Sequence, residues 1–246
     1  MPSNERLVQT VAAFKRDAAK AFDKAVKALL DLVWERGAQS VDFLFAADPQ
    51  LDAEANAILR EMSDTLAAKA KKRAEEIIRE LTEGYDPEAA WDNAEDNEAT
   101  PLLWRFDMEG SHLKELLEIW IALAVVNHIG KSELRVLVSR YLANPYASPL
   151  WKDIRRDALR WGRGYSRNII EQLTLIGQGA IVGAARYAQW ADALGNGADY
   201  YIRRRGSNYD CKVCEDMANK PIPISVPFQI PHPRCMCWPE FFHSAQ

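Results

Sequence analysis

All four cysteines of the chain fall between Cys211 and Cys237, and none precedes them. A disulfide framework for the whole chain would spread its bridges along the sequence, so these thiols belong to one local site. Cys211-Lys212-Val213-Cys214 has the spacing by which a tight turn offers two sulfurs to one tetrahedral ion. After a proline-rich spacer, 215–231, the run His232-Pro233-Arg234-Cys235-Met236-Cys237 supplies three further donors. Five candidate ligands therefore compete for the positions of a tetrahedral ion. Cys211, Cys214, His232 and Cys235 form the preferred set, with Cys237 as the competing ligand. Cys235 and Cys237 stand so close in sequence that the intervening turn must be strained or wide for both to reach one ion. The spacer is too rich in proline to build its own core, and a structural Zn2+ would supply the missing stability. A redox or disulfide pair is the alternative for the same thiols.

The rest of the chain reads as helix. Leu7, Val11, Phe14, Ala18, Phe22, Ala25, Leu29 and Val33 recur at helical spacing up to a stop near Gly37. Asp48-Pro49 looks like an N-cap with proline at the first helical position, opening a second stripe from Leu51 through Leu59, Leu66 and Ile77 to Gly84. The pair reads as an antiparallel hairpin, although such stripes also suit a coiled-coil contact with another subunit. The acidic stretch that follows reads as a hinge. Thr100-Pro101 and Ser111 look like new helix starts, and the apolar face beyond them runs to Gly130. Ser132 opens a short helix, and Ser148-Pro149 opens a longer one that Gly177 and Gly179 should break. A last helix, 180–194, ends at Gly195-Asn196-Gly197. Beyond it, 198–205 suits a short strand, and 220–226 a second one that Pro221 and Pro223 confine to a sheet edge. The expected fold is mainly α: an N-terminal helical hairpin over 1–84, an acidic hinge over 85–110, a helical core over 111–197, and a small zinc-bound α+β module over 198–246.

Composition narrows the classes. A chain of 246 residues, 48% hydrophobic, can bury a sizeable core. Its net charge of −4 and pI near 5.7 argue against a surface that grips nucleic acid all round. The longest apolar stretch, Ile119 to Val126, falls far short of a membrane span, so no membrane contact is expected. Lys15, Arg16, Asp17 and Lys20 interrupt the first apolar stripe, which does not read as a secretory leader.

The order Tyr209-Asp210-Cys211-Lys212-Val213-Cys214, a spacer, and then Pro231-His232-Pro233-Arg234-Cys235-Met236-Cys237 resembles the signature closing the phage Mu F-like and SPP1 gp7-like head morphogenesis proteins. Upstream, over Ser111 to Leu194, only the helical character agrees. The resemblance implies a minor capsid protein of the virion, assembled in the host cytoplasm, docking on the portal or major capsid protein and assisting head assembly or DNA delivery. It carries over to Cys211, Cys214, His232, Cys235 and Cys237 alone, as holders of a fold-stabilising zinc ion, and brings no catalytic residue.

The rival classes are a zinc-containing nucleic-acid-binding protein and a toxin-like effector enzyme. Arg203, Arg204 and Arg205 before the hook, and Arg155, Arg156, Arg160, Arg163 and Arg167 on one expected helix, are candidate contacts for DNA phosphates. Catalytic zinc needs an open coordination position and a general base. Glu215 and Asp216 adjoin the hook, yet so many soft ligands tend to close the site, and no enzymatic activity is expected. Trp104, Trp120, Trp151, Trp161 and Trp190 read as core, and His112 and His128 as structural histidines.

Overall fold

The computed structural model describes residues 2–96, 101–143, 169–206, 211–230 and 235–244. The fold is mainly α, with one small antiparallel sheet near the C-terminus. Helix α1 (Pro2–Glu35) buries the stripe expected of it, with Leu7, Phe14, Phe22, Leu29 and Val33 fully out of solvent. It ends where Gly37 adopts φ +61°, a conformation that lets the Ala38 N–H reach the Val33 carbonyl at 3.1 Å. Helix α2 (Pro49–Leu81) starts as the sequence suggests: Asp48 Oδ1 accepts from the N–H groups of Gln50 at 2.9 Å and Leu51 at 3.2 Å.

The chain forms two compact units, each assembled from segments distant in sequence: Lys15–Leu66 with Leu103–Thr174, and Met1–Phe14 with Ala67–Leu102 and Leu175–Gln246. In both, α1 and α2 run antiparallel. Lys24 meets Glu61 at 2.6 Å in one unit, and Arg6 meets Glu80 at 3.7 Å in the other. These exposed ion pairs report the register of the hairpin and contribute little energy.

In the first unit, α4 (Leu102–Val126) lies along α2. Lys114 Nζ reaches Asp52 at 2.7 Å and Asn56 at 2.9 Å, and Gly110 brings its backbone close to the Leu59 side chain. Ser111 does not start a helix. It lies within α4, where its hydroxyl bonds back to the Asp107 carbonyl one turn earlier at 3.1 Å instead of capping a new helix. Helix α4 stops through His128, whose φ of +56° allows the Ile129 N–H to bond the Ala124 carbonyl at 2.8 Å. Helix α5 (Lys131–Ala143) follows, with Arg135 and Lys131 paired to Asp23 and Asp31 of α1.

In the second unit, the stretch expected as a hinge carries helix α3 (Pro87–Asp96), anchored by buried Ala90 and Trp91. Acidic composition hides these two apolar contacts. Lys71 of α2 lies 3.4 Å from Glu88 and 3.9 Å from Asp92. Helix α6 (Ile169–Gly195) is continuous through Gly177 and Gly179, contrary to the expected break. A Cβ at Gly177 would stand 2.0 Å from the Phe14 ring, so this glycine makes room for an aromatic from α1 rather than ending a helix. Trp120 and Trp190 are buried as expected, whereas Trp104 is exposed; Trp151 and Trp161 lie outside the described residues. The helix expected from Ser148-Pro149 and its arginines also lie there for the most part, Arg155, Arg156, Arg160, Arg163 and Arg167 included. No helix among the described residues is long and apolar enough to cross a membrane.

Candidate metal centre

Helix α6 ends in a turn at Gly197, φ +78°, and the chain enters β1 (Tyr200–Arg204). This strand is the centre of the sheet. β2 (Pro221–Pro223) pairs antiparallel on one side and β3 (Trp238–Phe242) on the other, with Tyr201 opposite Ile222 and Phe241. Both edge strands carry proline, which cannot complete a ladder and suits an edge. β2 is the edge strand expected from Pro221 and Pro223; β3 has no clear signal in the sequence. Strand alternation turns Tyr201 and Arg203 inward, each 1% exposed. Under the sheet, Tyr201, Phe228, Trp190 and three cysteines form one buried cluster.

The Cys211–Cys214 hook is a short helix rather than a bare turn. Cys211 is the N-cap of α7 (Lys212–Met217), its sulfur accepting from the Cys214 N–H at 3.5 Å. That turn of helix carries Cys214 inward. From the other direction, Cys235 and Cys237 lie in the run entering β3, and both are buried. Two positions apart in a chain running into a strand, they present their thiols to one side. The sulfurs of Cys214, Cys235 and Cys237 all lie within 4.8 Å of one another, an arrangement that can hold a metal ion. The Cys214 and Cys235 sulfurs are 3.8 Å apart.

Of the five sequence candidates, the structure thus brings together Cys214, Cys235 and Cys237. Cys211 packs at the rim of the cluster, half-buried, and His232 lies outside the described residues. The preferred set left Cys237 as the competing ligand, and the structure places its sulfur beside those of Cys214 and Cys235. Gly206 makes this possible: a Cβ there would stand 1.8 Å from the Met236 carbonyl oxygen, so only glycine lets the chain after β1 lie against the Cys235–Cys237 run.

The three thiols are electrostatically unequal. Burial pushes the Cys214 thiol up to about 11. The hydrogen bond between Cys235 and Cys237 raises Cys235, and burial raises it further. Cys237 is drawn down to about 5, chiefly by that same bond, with help from the Gly206 N–H and the Arg203 charge. The bond between Cys235 and Cys237 thus favours the thiolate at Cys237 over that at Cys235, and a bound cation would displace the thiol protons of the cluster.

Two buried arginines flank the cluster, and neither is assigned to it by sequence reasoning. Arg186 of α6 is fully buried. Its Nε donates to the Cys237 carbonyl at 3.1 Å, its Nη1 to Gln189 Oε1 at 2.7 Å, and its Nη2 to Asn4 Oδ1 at 2.8 Å. Desolvation draws its pKa down to about 10, against the opposing pull of Cys235 and Cys237. Arg203 lies over the Phe228 ring at 4.1 Å and donates from Nη2 to the Gln229 carbonyl at 2.6 Å, while its Nε and Nη1 are buried without an acceptor. Arg203, one of the three candidate DNA contacts before the hook, is buried. Its neighbours are engaged with carboxylates, Arg204 with Glu240 at 2.5 Å and Arg205 with Glu215 at 2.7 Å. The inward turn of Arg203 was legible in principle, since β1 alternation puts it on the face of Tyr201.

Compared with family models, with curated proteins and with solved structures, the chain matches none.

Proposed function

We propose that the C-terminal module is built around one Zn2+ held by Cys214, Cys235 and Cys237, with the fourth ligand supplied by Cys211 or His232, and that the protein is a structural component of a phage head. The observation that carries the metal reading is the sulfur cluster. Zinc binds thiolates tetrahedrally at about 2.3 Å, which separates neighbouring sulfurs by about 3.8 Å. The Cys214 and Cys235 sulfurs stand 3.8 Å apart, whereas a disulfide would need about 2.05 Å. Three soft donors suit zinc better than a hard cation.

A structural role follows from the size of the module. A three-stranded sheet with short proline-bearing edges buries little surface of its own, and a structural zinc contributes about 10–16 kcal/mol of apparent binding energy to such small folds. Catalysis needs an open position and a free base. Cys214, Cys235 and Cys237 are buried, and Glu215, which follows the hook in sequence, is engaged by Arg205. The assembly role rests on the resemblance of the hook and of the His232–Cys237 run to phage head morphogenesis proteins. In that reading the module is a docking piece that meets the portal or major capsid protein during head assembly, and the site is in the virion.

The test is capture of the full zinc-loaded chain by the portal and major capsid proteins encoded beside it. Binding to either that is lost when zinc is removed by chelation supports the proposal. Absence of binding to both, with zinc bound, refutes the assembly role while leaving the metal site standing.

A further inference from the structure

Three thiolates around a divalent cation leave the centre negatively charged, and a fourth thiolate would add to it. Such a charge, placed in a buried cluster, needs compensation close by. The two guanidiniums beside the cluster have the converse problem. Both are buried to within 1% of complete exclusion from solvent, and among the described residues neither is paired with a carboxylate. The partners of Arg186 are an amide oxygen on each side and the Cys237 carbonyl; those of Arg203 are the Gln229 carbonyl and the face of Phe228. Two guanidinium nitrogens of Arg203, Nε and Nη1, have no acceptor at all. A fold gains nothing by burying two cations against neutral partners, so something anionic has to accompany them.

We infer that Arg186 and Arg203 are the counter-charges of the metal–thiolate centre, positioning residues that make the buried cysteines a tight cation site rather than a cluster of neutral thiols. This rests on the metal reading above and deepens it. Each arginine approaches the cluster from a different element. Arg186 comes from α6 and is fixed through the Cys237 backbone; Arg203 comes from the central strand and acts through its charge, its Nε and Nη1 having no acceptor of their own. Arg186 also ties the site to the start of α1 through Asn4, so the metal, its counter-charge and the first turns of the chain stabilise one another. When the metal is removed and the thiols take up protons, the two buried cations lose the anionic charge that accompanied them.

The experiment compares full-length wild type with Arg203→Met, Arg203→Lys, Arg186→Met and Arg186→Lys. Zinc affinity is measured by competition with a chromophoric chelator, and thermal midpoints are measured with zinc bound and after its removal. Loss of a group that supports metal ligands costs about 10- to 100-fold in metal affinity. Each Met variant is expected to lose affinity in that range, and each Lys variant, which keeps the charge, to lose distinctly less. The gap in midpoint between the zinc-loaded and stripped forms should shrink in the Met variants, because the stripped form is relieved of a buried cation. Met variants that bind zinc as tightly as wild type, with both midpoints lowered equally, would overturn the inference and leave only packing. Where a Met variant does not fold, the Lys variants decide. Zinc affinity retained better than thermal stability supports the inference, and an equal fall in both refutes it. Wild type that takes up no zinc refutes the metal reading itself, an outcome visible before any variant is made.

Discussion

Substituting Gly206 by alanine tests the geometry of the site without touching a ligand. The added Cβ would stand 1.8 Å from the Met236 carbonyl oxygen and 2.6 Å from its carbonyl carbon. Non-bonded contacts are optimal at about 3.5 Å, so one of the two chains has to yield by more than an ångström. The obstacle is backbone rather than the far end of a flexible side chain. Relief therefore moves the Cys235–Cys237 run itself, or the end of β1 with Arg203 on it. Metal–ligand distances tolerate only about 0.2 Å of departure, so a shift of this size separates Cys237 from the other two sulfurs. It also breaks the Gly206 N–H bond to the Cys237 sulfur. The overpacking alone is expected to cost about 1–3 kcal/mol. The decisive readout is zinc content after purification, together with chelator competition, and a loss of at least tenfold in affinity is expected. Gly195→Ala is the control, because a Cβ there meets nothing within 4 Å; it should bind zinc normally. A Gly206→Ala protein with wild-type zinc affinity and thermal midpoint would refute the claim that the β1 exit is packed against the ligand run.

Gly177→Ala would place a methyl 2.0 Å from the buried Phe14 ring and is expected to destabilise the chain by about 1–3 kcal/mol in denaturant titration, with zinc content unchanged. Asp48→Ala removes the acceptor for the Gln50 and Leu51 N–H groups and should cost about 1 kcal/mol, whereas Asp48→Ser should recover most of it. The Asp52 carboxyl is held below its ordinary range by its hydrogen bond to Lys114. A carboxylate with a depressed folded-state value adds stability above its unfolded value and loses it as pH falls through the folded one. Lys114→Met should therefore raise the Asp52 titration midpoint, followed by carboxyl NMR, and flatten that part of the acid limb of the stability curve; an unmoved midpoint contradicts the pairing.

Local chemistry made the hairpin and the cysteine hook readable. Asp48-Pro49, Gly37 and Gly195-Asn196-Gly197 act through their own backbone preferences, and the stripe of α1 acts through its period. What the sequence hid depends on partners far along the chain. Gly177 looks like a break until Phe14 is placed beside it. Ala90 and Trp91 turn an acidic stretch into a packed helix by burying their side chains. β3 contains Pro239 and is a strand because it pairs along the full length of β1. At the site, spacing identified the cysteines but could not rank Cys237, since its position depends on Gly206 making way. Arg186 carries no local signal at all; its burial beside Cys237 is a product of tertiary packing.

The central claim is that the cluster of Cys214, Cys235 and Cys237 is a zinc site on which the C-terminal module depends. Metal content of the full chain, measured beside amide hydrogen exchange over 198–244 before and after chelation, tests it most directly. The expected result is one zinc ion per chain, with protection of β1 and β3 lost when the ion is withdrawn and restored when it is returned. A chain that holds no zinc, takes up none, and keeps the same protection in both strands would contradict it.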